Sequence, residues 1–187
     1  MTTSTRGYRT PARLLHWVMA ILILLMIAAG FLMIQEGLAR STQNTLFIFH
    51  KNIGVLVMLL VIARLFYRWR NPPVLEPAPM PAWQESIAKL THVALYALLI
   101  IMPIAGYVRV RAGGFPIEAL DAAGLPGFVP RSDELAAFAK TVHYFGAFAL
   151  AGLVAMHIGA AAFHGLVRRD GIFTRMWPPV AGRADQT

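Results

Sequence analysis

Four apolar stretches limit what this chain can become. They cover residues 14–34, 46–67, 87–108 and 136–167, and none contains an Asp or Glu. Each is long enough for a helix to cross a bilayer core, which takes ~20 residues. Lipid offers no partner to a backbone N–H or C=O, so such stretches must satisfy their own hydrogen bonds as helices. Of the 187 residues 57% are hydrophobic and only 14% charged, too few polar side chains to cover a water-soluble fold of that size. The expected architecture is all-α: one membrane domain over residues 1–187, folded as a four-helix transmembrane bundle.

Charge gives that bundle a direction. The net charge of +8 would suggest nucleic acid in a soluble protein, but here the basic residues flank the apolar stretches, so no nucleic-acid partner is expected. Arg6, Arg9 and Arg13 precede the first stretch without an acid, and Arg168, Arg169, Arg175 and Arg183 follow the last. Arg64, Arg68, Arg70 and Lys89 outnumber Glu76 and Glu85 between the second and third stretches, whereas the other two connections are balanced. Basic and neutral segments therefore alternate, which predicts cytoplasmic N- and C-termini. Residues 18–34 outrun a signal-peptide core of ~7–15 residues and no cleavage pattern follows them, so the first helix is expected to be retained.

The connections are punctuated by residues that stop helices. The proline-rich stretch 70–83 links the second and third helices, and residues 113–130, with three prolines and four glycines, form the longest outer loop. Ser132 followed by Asp133 and Glu134 predicts the start of the fourth helix. The polar tail after residue 178 is expected to be disordered. There is no cysteine, which excludes disulfides, thiolate-held iron–sulfur clusters and covalently attached haem. A transition metal would have to be held by histidine.

Histidine is where the chemistry concentrates. Residues 140–170 carry His143, His157 and His164 in an otherwise apolar segment. The 14 residues from His143 to His157 leave those rings within about 40° of one helix face and ~21 Å apart along the axis. A further seven to His164 add roughly 20° and ~10 Å. In the predicted topology His50 shares the outer depth of His143, and His16 is the leading partner at the depth of His157. Two bis-histidine pairs across a bundle are what two haems b require. Gly30, Gly54, Gly146, Gly152 and Gly159 would leave room for a planar ring. A lone intramembrane histidine often only bonds a neighbouring helix; two pairs at matched depths argue against that here. His92, placed at the opening of the third helix, and His164 remain unpaired toward the cytoplasm. Arg64 and Arg68 could meet haem propionates or lipid headgroups, and the nine methionines read as core filling.

The segments RLLHW (13–17), FHKNIGVLVMLLVIARLFYRW (49–69), KLTHVALYALLIIMPIAGY (89–107) and HIGAAAFHGLVRRDGIFTRMWP (157–178) resemble, in order, the four helices of the bacterial cytochrome b561 family. The resemblance implies a di-haem b cytochrome of the inner membrane, with metal ligands His16 with His157 and His50 with His143. It further implies an oxidoreductase like the superoxide oxidases, passing electrons from superoxide to ubiquinone. The positions of His92 and His164, with residues 82–86 just before the third helix, would line the quinone site. Gly165 stands where a second histidine is often found, and Phe163 where a lysine is common.

The function expected is transmembrane one-electron transfer between a periplasmic donor and the ubiquinone pool. Lys51, Arg109, Arg111 and Arg131 could steer an anionic donor, although nearby acids largely cancel them. Docking of a periplasmic dehydrogenase or hydrogenase is the alternative. A haem-free histidine relay for protons or metal is disfavoured, because the apolar stretches hold no carboxylate.

Overall fold

The computed structural model describes residues 7–73 and 80–180. Arg6, the linker residues 74–79 with Glu76, and the tail residues 181–187 with Arg183 and Asp185 lie outside the described residues. Four long helices dominate: α1 (Thr10–Leu32), α2 (Arg40–Arg70), α3 (Ala82–Ala112) and α5 (Asp133–Ala162), with a short α4 (Glu118–Ala122) between the last two. A π-helical turn, Phe163–Arg168, extends α5, and a 3-10 turn, Phe173–Arg175, follows. Among the described residues there is no strand. All four long helices are apolar and long enough to span a bilayer, and large side chains such as Leu59, Leu90, Val93 and Leu166 stand exposed along them, as lipid contact requires. The chain is a multi-pass membrane protein.

Two helix starts lie well before the apolar boundaries. The α2 helix begins at Arg40 and α3 at Ala82, several residues before hydropathy rises at 46 and 87. Polar turns such as RSTQNT and AWQES continue a helix whose backbone bonds are closed within the segment, so hydropathy marks only the lipid-embedded part. His92 consequently lies ten residues inside α3 (92 − 82) rather than at its opening, about 15 Å along the axis. Residues 82–86 form the first turns of α3, not a segment before it. The α5 start is as predicted: Ser132 Oγ accepts the Leu135 N–H at 3.2 Å, with Asp133 and Glu134 in the first turn.

The chain forms two compact units, and every long helix contributes to both. Among the described residues the first comprises 7–20, 60–73, 80–96 and 152–180. Within it the segment after α5 folds back along the start of α1. Trp17 Nε1 donates to the Met176 carbonyl at 2.8 Å, and the Tyr8 N–H donates to Arg175 O at 3.0 Å. Arg13, only 1% exposed, donates through Nε to Tyr8 O at 2.6 Å and through Nη1 to Pro178 O at 3.2 Å. Trp17 and Trp177 meet edge to face at 5.2 Å. The turn that sends the chain back needs Arg169 at φ 50° and Gly171 at φ 82°, the left-handed region that ends many helices.

The second unit comprises Ile21–Leu59 and Ala97–Ala151. Its loop over 113–130 contains the short helix α4, which is clamped at both ends. Lys51 Nζ donates to Glu118 Oε1 at 2.6 Å and to Pro116 O at 2.8 Å, while Asn52 Nδ2 donates to Glu118 Oε2 at 2.9 Å. Arg111 pairs with Asp121 at 2.5 Å, and Asp121 also accepts the Ile117 N–H. Burial pushes the Glu118 carboxyl up, but the Lys51 and Asn52 bonds outweigh it and hold the group below its ordinary range. The Arg111 bond lowers Asp121 in the same way. Lys51 and Arg111 are thus engaged by acids, in line with the expected cancellation of their charge.

Candidate functional site

In the second unit α2 and α5 bring His50 and His143 together, with ring centroids 6.0 Å apart and planes at 75°. His143 Nδ1 lies 3.1 Å from the Met102 carbonyl. A carbonyl can only accept, so Nδ1 carries the proton and Nε2 keeps its lone pair. The ring comes this close to the α3 backbone because residue 106 is glycine: an added Cβ would lie 3.3 Å from His143 Cε1. At His50 the counterpart is Gly30 on α1, where an added Cβ would lie 3.2 Å from the ring's Cε1. The Met26 backbone approaches His50, yet its Nδ1 is buried with no hydrogen-bond partner among the described residues. Gly30 therefore makes room for the histidine itself rather than for a planar ring. Gly146 faces the Met102 thioether and Gly54 the Met26 methyl.

In the first unit α1 and α5 pair His16 with His157 at 6.2 Å, planes at 77°. The structure adds a third ring to this site: His92 of α3 stands 5.5 Å from His157. His92 is not unpaired, because the longer α3 carries it past the helix opening. Arg64 acts electrostatically on both His16 and His157. Its guanidinium is fixed by bonds from Nε to Tyr96 Oη at 3.0 Å and from Nη1 to Ala12 O at 2.9 Å, one helical turn before His16. A small cleft nearby is lined by Tyr8, Arg64, Tyr67, Arg68, Asn71 and Tyr96. At Gly152 and Gly159 an added Cβ would meet no atom within 4 Å, but both are exposed and lie about 140–180° around α5 from His143 and His157, so they do not make room for a ring beside the histidines.

His164 sits in the π-helical turn, a distortion that is frequent at functional sites. Its Nδ1 meets Asp170 Oδ2 at 2.6 Å, and Arg168 Nε lies 3.5 Å from the same oxygen. Asp170 is only 10% exposed. Burial pushes its carboxyl up, but the His164 bond and the Ile172 N–H bring it below its ordinary range. Arg168 also donates to Gln84 Oε1 at 3.3 Å, which ties the first turn of α3 to the His164 turn. Sequence pattern alone assigns Asp170 only to the charge balance of the tail and gives no role to Gly106. The acid six residues after His164 was a visible signal for the first, and the repeated pattern M-x-x-A-G at 26–30 and 102–106 for the second.

The surroundings of these histidines can be set beside known proteins. Over 178 residues, 94% of this chain and 93% of the relative, the sequence is 29% identical to "Cytochrome b561 homolog 2" of Escherichia coli K12. It is 31% identical to "Cytochrome b561 homolog 1" of the same organism over 88% of this chain and 93% of that one. A third relative, "Probable superoxide oxidase CybB" of Yersinia pestis, is 27% identical over 90% of this chain and 94% of its own. Residues 7–179 match the sequence profile of the family described as prokaryotic cytochrome b561. With nearly its whole length matched and its histidines carried on four membrane-spanning helices, the chain belongs to the prokaryotic cytochrome b561 family.

Proposed function

We propose that the chain is a di-haem b electron carrier of the bacterial inner membrane, with both termini cytoplasmic. It takes electrons from a periplasmic donor, superoxide being the one favoured, and delivers them to ubiquinone. The observation that carries this reading is the spacing of the two histidine pairs. Two imidazoles bound to one iron from opposite sides, each at the ~2.0–2.1 Å usual for a metal–imidazole bond, put their ring centroids about 6.3 Å apart. The pairs stand at 6.0 and 6.2 Å. The His92–His157 separation of 5.5 Å falls short of that span. Among the described residues no cluster of three or more His, Cys, Asp or Glu could hold a bare metal ion; paired imidazoles instead suit an iron whose four equatorial positions a macrocycle fills.

His50 and His143 would hold one haem b, His16 and His157 the other, with Arg64 and Arg68 placed to meet propionates. Haem b supplies a one-electron carrier at each pair. His92 and His164 would face the quinone. Asp170 fixes the His164 ring through Nδ1, so its Nε2 takes up a proton and can release it to a reduced quinone oxygen. The relative named as a probable superoxide oxidase supports superoxide as donor.

Stopped-flow mixing of superoxide with the purified protein, with and without ubiquinone, tests this at the haem bands. Rapid reduction followed by quinone-dependent reoxidation is expected, and His164→Ala should slow only the second phase, by roughly 10²-fold. Absence of reduction by superoxide would overturn the donor assignment, and a co-purifying dehydrogenase or hydrogenase that reduces the bands would replace it.

A further inference from the structure

The two rings of the His50–His143 pair meet the same five-residue pattern on different helices. Residues 26–30 on α1 read MIAAG, and residues 102–106 on α3 read MPIAG. In a helix the carbonyl of residue i is bonded by the N–H of residue i+4. When residue i+4 is glycine no Cβ shields that carbonyl, and a ring nitrogen can share it from the side. His143 does so: its Nδ1 lies 3.1 Å from Met102 O, at the spot where a Cβ on Gly106 would come within 3.4 Å of Nδ1. His50 is seated the same way against Gly30, beside the Met26 backbone, with its buried Nδ1 still lacking a bond. Nothing equivalent serves the other pair. Among the described residues the rings of His16 and His157 receive no backbone carbonyl, and the fixed charge of Arg64 acts on both.

We propose that these two pentads are positioning elements that seat both rings against the helix backbone, hold the His143 Nδ1–H on the Met102 carbonyl, present Nε2 of each ring to iron, and thereby lower the reduction potential of the His50–His143 site relative to the His16–His157 site. The inference rests on the di-haem reading above. An N–H donated to a carbonyl makes the imidazole a stronger electron donor, which favours ferric iron, as outer-sphere partners do at metal sites generally. A cation beside the other site favours the reduced state there. An electron arriving at the His50–His143 site then runs downhill to the other.

Redox titration of the haem-loaded protein should resolve two midpoints, the lower one missing in His143→Ala and the upper one missing in His157→Ala. Gly106→Ala pushes the His143 ring off its carbonyl and Gly30→Ala displaces the His50 ring, and each should raise the lower midpoint while the upper one stays fixed. Unchanged midpoints in variants that keep both haems, or the reverse assignment, would overturn the proposal. Should Gly106→Ala lose its haem, electron–nuclear double resonance on the unaltered protein decides. A slowly exchanging Nδ1 proton on the His143 ligand supports the proposal, and a freely exchanging one overturns it. A protein that never binds haem would instead defeat the di-haem reading itself.

Discussion

Replacing His157 by alanine is expected to halve the haem carried by the purified protein and leave the spectrum of a single, intact site. Each iron needs an imidazole on both faces, and His157 is the member of its site that lies within reach of both His16 and His92, at 6.2 and 5.5 Å. Its loss removes the ring that stands at the bis-imidazole span from His16. His143→Ala should do the same for the other site, because His50 has no other histidine ring near it. The double variant should bind no haem. Quantifying haem against polypeptide for the three variants measures this. Full haem retention in either single variant would show that the pair is not the ligand set.

Arg13→Ala should destabilise the first unit by about 3 kcal/mol, since hydrogen bonds from a charged donor contribute ~1.5–3 kcal/mol each and their loss strands buried acceptors. Arg13 is the most buried polar side chain among the described residues, and two of its bonds end on the carbonyls of Tyr8 and Pro178. Those bonds fasten the chain's return segment to the start of α1. Removing the guanidinium also opens a void against Gly7, whose missing Cβ is what admits it. Arg13→Lys should recover only part of the loss, because a single ammonium cannot span two carbonyls as the planar fork does. Thermal melting in detergent and protease cleavage after residue 168 report the effect. An unchanged melt would show that the return segment is held without Arg13, by contacts such as those of Trp17 and Tyr8.

Much of this was legible from the residues. Apolar length located four helices, and Ser132 marked the α5 start to the residue, because both signals arise within the segment that displays them. Histidine spacing on α5 brought His143 and His157 to their partners, since a helix converts sequence separation directly into height and angle. What escaped was information that one segment does not hold. The length of α3 depended on polar turns that carry no hydropathy signal, and so His92 was placed too near the end. Gly106 matters only because a ring from α5 arrives there. Asp170 matters only because the chain reverses after Arg169 and brings it back to His164. Neither relation exists until the helices have packed.

The most direct test of the central claim is the ratio of haem b to polypeptide in the purified, unaltered protein, read with its reduced spectrum. The account predicts two haems per chain with a b-type α band. Both should be removed by acidic acetone, because a chain without cysteine cannot tether them through thioethers. A protein purified intact from haem-replete membranes with one haem per chain, or with none, would contradict it.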